Sequence, residues 1–322
     1  MSTAVPNNAG AQGAGNATAN VASESTRSAK DNPFTDISSG RKTMNSVMGG
    51  LMWLCMIIAL VPLLWLLITV ILRGAPAVLD LGWWTDDMVG VRMSKEGGGA
   101  LHAIAGTLMQ TLIASLISIP IGVFTAVYLV EYSNGNKLGK LTTFMVDILS
   151  GVPSIVAALF IYALWITILG MERSGFAVSL SLILLMVPLV VRNTEEMLRV
   201  VPMDLREASY ALGVPKWKTI LRIVLPTALS GIVTGIMLAV ARVMGESAPV
   251  LILVGSTPAL NWFGLFGEPQ SSLPLFMLEM WKSGATGFAA ERLWGAALTL
   301  VVIVVVLNLL ARAIAKKYSV KK

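Results

Sequence analysis

Six long apolar runs constrain the fold of this chain more than any other feature of its sequence. The runs are Val47–Leu72, Ala103–Val130, Phe144–Leu169, Gly175–Val191, Leu229–Val254 and Leu293–Ala315. Each is close to the roughly 20 residues that an α-helix needs to cross the ~30 Å hydrocarbon core of a bilayer. Only 13% of the residues are charged, against about 25% in a typical soluble domain. Because backbone groups in lipid must be satisfied within the spanning segment, the sequence predicts an all-α integral membrane protein, a bundle of six transmembrane helices.

Basic residues near the spans predict the orientation of the chain, since cytoplasmic loops carry an excess of Lys and Arg. These residues concentrate near both ends of the apolar region, around Lys137 and Lys140, and in the loop at 192–226. The loops at 73–102 and 255–290 hold fewer of them. We therefore expect both termini and the 192–226 loop in the cytoplasm. The net charge of +6 is then a topology signal and does not indicate nucleic-acid binding.

Residues 1–45 differ in composition from the rest of the chain. They are rich in Ala, Gly, Asn, Ser and Thr and carry almost no large apolar side chains. Such a segment cannot bury enough surface to offset the entropy lost on ordering. The sequence thus predicts a disordered cytoplasmic tail at 1–45 and a six-span membrane domain at 46–322. Cys55 is the only cysteine, so no disulfide within the chain and no cysteine metal site is expected.

The loop at 192–226 contains signals for a short helix that lies across the membrane axis. Asp204 is well placed as an N-cap residue, and Gly213 favours a left-handed helix end just before Pro215. A helix running to about Leu212 would expose small side chains. A groove on another protein would accommodate such a surface.

The same loop carries a spaced motif that resembles the coupling loop of the membrane subunits of ABC-type importers. It reads Glu207-Ala208-Ser209-Tyr210-Ala211-Leu212-Gly213 and continues as Ile223-Val224-Leu225-Pro226. Ser209 stands where that family often has alanine, and the resemblance covers roughly residues 100–315. It implies a transporter subunit, not an enzyme, whose cytoplasmic coupling helix docks on an ATPase subunit. The docking residues it implies are Glu207, Ala208, Ser209, Tyr210, Ala211, Leu212, Gly213 and Val214. The chain has no G-x-x-x-x-G-K-[ST] phosphate loop of its own.

Arg242 and Glu246 place opposite charges deep inside the fifth apolar run. A charge near the bilayer centre costs about 3 kcal/mol on insertion scales unless it faces protein or water. On a continuous helix the i, i+4 spacing would bring the two side chains to one face, where each neutralises the other. Pro249 would leave the carbonyl of Gly245 free and kink the helix. Chemistry alone leaves open an anion path, in which Glu246 holds Arg242 when no anion is present, and a structural ion pair.

A second resemblance favours the anion path. The segment 239–251 is similar to phosphate-specific uptake permeases of the PstA type, and Arg242 and Glu246 fall on that family's charged positions. The third run matches through Ser150-Gly151-Val152-Pro153-Ser154-Ile155-Val156, a helix interrupted by Pro153. This resemblance implies inorganic phosphate as the substrate. The path residues are then Arg242, Glu246, Ser247, Ser150 and Ser154.

The resemblance also implies the partners of the chain. These are a homologous but distinct second permease subunit, two ATPase subunits and an extracytoplasmic phosphate-binding protein. ATP and Mg would belong to the ATPase, and this chain would bind no cofactor and no metal. The expected location is the bacterial cytoplasmic membrane, where the chain is a multi-pass protein in the lipid bilayer.

Three alternatives remain open at the level of the sequence. An ABC permease for sulfate, molybdate or phosphonate would carry the same coupling motif. A secondary anion/proton symporter would explain Arg242 and Glu246 but would leave the motif a coincidence. A membrane-embedded scaffold would explain the helical bundle alone.

Overall fold

The computed structural model describes residues 39–93, 95–262 and 266–318, and within these ranges the chain is helical and has no β-strand. The helices are α1 Ser39–Leu79, α2 Gly82–Thr85, α3 Leu101–Tyr132, α4 Lys137–Ser150, α5 Ser154–Ile168, α6 Gly175–Val200, α7 Met203–Ala211, α8 Lys216–Met244, α9 Ala248–Leu253, α10 Leu273–Lys282 and α11 Gly287–Tyr318. The predicted tail at 1–45 lies outside the described residues as far as residue 38. Its last residues, 39–45, belong to α1.

Among the described residues, five helices are long and apolar enough to cross a membrane by themselves: α1, α3, α6, α8 and α11. Helices α4 and α5 pass the same test only as a pair, which brings the number of candidate spans to as many as 6. The prediction of an all-α protein with several membrane spans is confirmed.

The third predicted span, Phe144–Leu169, is not a straight helix. Helices α4 and α5 meet at an angle of 105° across the break at 151–153. Pro153 has an extended backbone (ψ 142°), and a proline also disfavours helical backbone in the residue before it. The carbonyl of Pro153 then accepts from the N–H groups of Val156 and Ala157, at 3.0 and 3.2 Å, and starts α5. The sequence predicted the interruption but not a change of direction of this size.

The fifth predicted span, Leu229–Val254, is divided in the same way, so the prediction of one kinked helix is wrong. Helix α8 ends at Met244, and α9 begins at Ala248. Pro249 lies in the first turn of α9, where its missing N–H costs no helical hydrogen bond. The N–H groups of Gly245 and Glu246 bond to the carbonyls of Arg242 and Val243, at 3.1 and 3.2 Å, and close the end of α8.

The described residues divide into two units, one ending at Leu66 and one beginning at Leu67. The described part of the first unit is the beginning of α1. The second unit contains the hydrophobic core, in which α3, α6, α8 and α9 contribute buried side chains such as Ala114, Met186 and Met244. Gly122 of α3 allows the close approach of α6, because a Cβ there would lie 2.6 Å from Val190. Helix α9 packs against α5 and α6, which places the two helix breaks beside each other.

Candidate functional site

The two helix breaks line one small cavity, and most of the residues predicted for the anion path meet there. The cavity has a volume of about 100 Å³. Its lining residues are Leu149, Ser150, Val152, Pro153, Ser154, Leu185, Leu189, Arg242, Val243 and Glu246. Ser247, the remaining residue of the predicted set, does not line the cavity and occupies the N-cap position of α9.

One wall of this cavity comes from the break between α4 and α5. Ser154 is the first residue of α5, and the first N–H groups of a helix have no partner within that helix. These groups and the helix dipole favour negative charge at this point. Ser150 ends α4 and donates its hydroxyl to the carbonyl of Asp147 at 2.8 Å. The wall therefore offers hydrogen-bonding groups inside an otherwise apolar bundle.

The predicted ion pair between Arg242 and Glu246 is absent from the described part of the chain. Both side chains line the cavity, yet neither makes a side-chain hydrogen bond or an ion pair there. The reason is the end of α8 at Met244, since the i, i+4 geometry needs a continuous helix that Gly245 interrupts. Arg242 is exposed and Glu246 is half-buried. The cavity thus holds a guanidinium and a carboxylate that do not neutralise each other.

The predicted coupling helix is α7, and its end is formed as predicted. Gly213 has a left-handed backbone (φ 74°). The N–H of Gly213 bonds to the carbonyl of Tyr210 at 2.9 Å, and that of Val214 bonds to Ser209 at 3.2 Å, which together form a Schellman cap. The predicted N-cap is wrong, because Pro202 takes that position and Asp204 lies inside the first turn. A proline before the helix sets the extended backbone from which α7 starts.

Helix α7 has an exposed face that contains most of the predicted docking residues. The exposed members are Glu207, Ala208, Tyr210, Ala211, Leu212 and Gly213. Leu212 is 83% exposed, so a large apolar side chain faces outward at the end of α7. Ser209 points the other way, where its hydroxyl shares a hydrogen bond with that of Thr219 at 2.8 Å. Val214 is half-buried.

A buried ion pair that sequence reasoning missed attaches α7 to the end of α3. Nη2 of Arg206 lies 2.9 Å from Oε1 of Glu131, and both side chains are buried. Arg206 also donates to the carbonyls of Val201 and Leu198, at 2.7 and 3.0 Å. The Nζ of Lys216 donates to the backbone carbonyl of Glu131. The sequence signal was weak, a lone Glu at the end of an apolar run.

A second ion-pair network connects α4 with α6. Arg192 pairs with Asp147 of α4 and, at 2.9 Å, with Glu195. Glu195 also accepts from Arg199 at 2.7 Å. Asp147, Glu195 and Arg199 form part of the wall of a larger cavity of about 510 Å³ between α3, α4 and α6. All these charges have a partner within the chain.

Comparison with known families and proteins gives a consistent result. Residues 118–320 match the family described as binding-protein-dependent transport system inner membrane component. A protein of Mycobacterium tuberculosis named "Phosphate transport system permease protein PstA 1" is 52% identical over 282 residues, which cover 87% of this chain and 91% of that protein. The PstA protein of Haemophilus influenzae is 38% identical over 272 residues, 84% of this chain and 94% of its own length.

Solved structures share the fold at lower identity. The inward-facing MetNI methionine ABC transporter aligns with a TM-score of 0.52 at 20% identity, over 69% of this chain and 95% of its own. A bacterial ABC transporter for import of the acidic polysaccharide alginate aligns with a TM-score of 0.59 at 15% identity, over 85% and 96%. At such identities the likeness shows the fold alone.

Proposed function

The chain belongs to the family of inner membrane components of binding-protein-dependent transport systems, and on that premise we propose that it carries inorganic phosphate as a permease subunit of an ABC importer. It is a transport component and not an enzyme. A relative that is 52% identical over 87% of this chain is named as a phosphate permease. This identity supports phosphate over sulfate, molybdate and phosphonate, and an importer over a symporter or a scaffold.

One observation carries the assignment of the path: the cavity at the two helix breaks holds Arg242, which pairs with no carboxylate among the residues that the structure describes. A guanidinium offers planar, charge-assisted hydrogen bonds to an oxyanion. Interrupted helices at membrane depth are tolerated where they line a cavity, and in transporters they carry substrate sites. The proposed path residues are Arg242, Glu246, Ser150 and Ser154, with Ser247 beside them at the start of α9.

The exposure of Arg242 supports a second permease subunit next to this one. An arginine at membrane depth is stable only where it faces protein or water, and in this chain Arg242 is exposed. A homologous but distinct permease chain facing it would complete the path. An extracytoplasmic phosphate-binding protein would then deliver the anion to this pair. We place the complex in the bacterial cytoplasmic membrane, with both termini and α7 in the cytoplasm.

Helix α7 connects this path to the energy source. The predicted docking segment, Glu207–Val214, binds one of two ATPase subunits through its exposed side chains, and Ser209 and Val214 support it from behind. The ATPase subunits bind ATP and Mg in place of this chain. Arg206 and Ser209 hold α7 against α3 and α8, so a displacement of α7 moves α8. Helix α8 carries Arg242 at its far end, roughly 40 Å away at 1.5 Å per residue. ATP-driven movement of the docking face is thus transmitted to the cavity.

The test is ATP-dependent uptake of radiolabelled phosphate into vesicles that hold the complete importer. Arg242→Gln should lower uptake at least ten-fold while the complex still assembles and hydrolyses ATP. Arg312→Gln, which removes the same charge from an exposed position of α11, is the matched control and should transport normally. Normal uptake by Arg242→Gln would show that Arg242 is not in the path. A parent importer that moves sulfate and no phosphate would show that the substrate is wrong.

A further inference from the structure

Glu246 presents a problem for a cavity that passes anions. Its carboxylate lines the same cavity of about 100 Å³ as Arg242 and is half-buried there. Within the described chain it has no ion-pair partner. An ionised carboxylate repels any fully ionised oxyanion that approaches Arg242. Its presence therefore requires an explanation that goes beyond attraction of negative charge.

We propose that Glu246 selects for a protonated oxyanion by accepting a hydrogen bond from the hydroxyl group of the anion itself; this inference rests on the proposed function. An ionised carboxylate can only accept hydrogen bonds. Inorganic phosphate keeps at least one P–OH group at neutral pH, whereas sulfate is fully ionised and has none. Phosphate can therefore turn its hydroxyl toward Glu246 and its charged oxygens toward Arg242. Sulfate has no orientation that satisfies both.

The physical basis of the discrimination is the asymmetry between a made and an unmade hydrogen bond. A hydroxyl donating to a carboxylate forms a short, strong, charge-assisted bond. When the donor is absent, the carboxylate is left without a partner and two sets of lone pairs face each other. Sites that hydrogen-bond a substrate hydroxyl reject analogues lacking it far more strongly than apolar pockets reject a missing methylene. One glutamate beside the donors of the cavity is sufficient for such a preference.

The positions of the two charges distinguish this role from simple neutralisation. If Glu246 served only to hold Arg242, the two side chains would form an ion pair with each other. The chain instead ends α8 before Glu246 and places this residue in the break at 245–247, where its N–H bonds to the carbonyl of Val243 at 3.2 Å. Helix α9, which follows the break, packs against α5 and α6. The carboxylate is held at the cavity by the backbone and remains available to a ligand.

Uptake of labelled phosphate into vesicles tests this proposal when competing anions are placed inside the vesicle lumen, on the ATPase side. The binding protein is outside, so lumenal anions bypass it and reach the permease path from the ATPase side, and ATP hydrolysis measured in parallel separates an effect on the ATPase from one on the path. Arsenate keeps a hydroxyl at neutral pH and sulfate does not. In the parent importer, lumenal arsenate should halve uptake at a concentration at least ten-fold lower than sulfate. In Glu246→Gln, whose amide both donates and accepts hydrogen bonds, the ratio of the sulfate to the arsenate concentration that halves uptake should fall below about three. Glu246→Asp, which keeps the carboxylate, should retain the preference for arsenate.

Two results would overturn the proposal. One is a Glu246→Gln importer in which the half-inhibitory concentrations of sulfate and arsenate keep the ratio that they have in the parent. The other is a parent importer in which lumenal arsenate and sulfate act alike, or in which neither slows uptake, and this comparison needs no variant. Either result can occur while phosphate is still transported and Arg242→Gln is inactive, so failure of this inference is separate from failure of the proposed function.

Discussion

Charged residues at the ends of the helices have bonding partners within the described chain, whereas those in the cavity do not. Near the ends, Arg206 bonds to Glu131 and to two backbone carbonyls, which leaves its guanidinium with partners on several sides. In the cavity, Arg242 and Glu246 face the same space and bond to neither each other nor another side chain of the described residues. Charges that stabilise the fold are satisfied within the chain. Those of the proposed path remain available to a substrate.

The largest effect on stability should follow from breaking the buried pair. Arg206→Met leaves the Glu131 carboxylate buried without its partner, which typically costs about 3–5 kcal/mol. The free energy of unfolding in detergent, measured by denaturant titration, checks this. Arg199→Met is the matched control, since Arg199 is 64% exposed and its partner Glu195 keeps a second ion pair with Arg192; loss of such an exposed cation typically costs about 0–1 kcal/mol. Equal losses for the two variants would contradict the distinction.

Glu279 of α10, which lies outside the candidate membrane spans, should make a smaller and pH-dependent contribution to the free energy of unfolding. Burial raises the pKa of Glu279 above its ordinary value of 4.5, although a hydrogen bond from Ser256 and the charge of Lys282 act in the opposite direction. Between the two pKa values the folded state binds more protons than the unfolded state, so stability falls as the pH rises through that window. Glu279→Gln should remove this fall in an unfolding series from pH 4 upward. An unchanged pH profile would show that Glu279 does not titrate abnormally.

The smallest effect on stability should come from the cavity itself. Arg242→Gln removes no ion pair of the described residues, so the free energy of unfolding should change by about 0.5 kcal/mol or less, whereas transport should be lost. Denaturant titration of the variant that is used in the uptake assay provides the measurement. A loss as large as that of Arg206→Met would place Arg242 among the structural charges.

The features that the sequence predicted correctly depend on local chemistry. The end of α7 is one such case, because a glycine at the left-handed position and a proline soon after it are sufficient to stop a helix. The predicted start of α7 was wrong because two local signals lie close together in the sequence. Pro202 occupies the N-cap position, and Asp204, the predicted N-cap residue, lies in the first turn of the helix. The apolar spans were predictable for the same reason, because a long run of apolar residues by itself indicates a helix that lies in lipid.

The features that were missed depend on how distant segments pack. Glu131 and Arg206 are separated by 75 residues, and only the packing of α7 against the end of α3 reveals that they are partners. The pair of Arg242 and Glu246 failed as a prediction because it assumed one continuous helix through Gly245. The convergence of Ser150 and Ser154 with Arg242 needs the 105° turn between α4 and α5, an angle that no local pattern encodes.

The break between α4 and α5 has a consequence for how a passage can open at this point. The last backbone hydrogen bonds of α4 run from the N–H groups of Gly151 and Val152 to the carbonyls of Ile148 and Leu149, and those of α5 start anew from the carbonyl of Pro153. Torsional changes where Val152 joins Pro153 would therefore swing α5 without breaking these hydrogen bonds of either helix. Side-chain packing would be the main resistance to this hinge motion, and motions of this kind occur in microseconds to milliseconds.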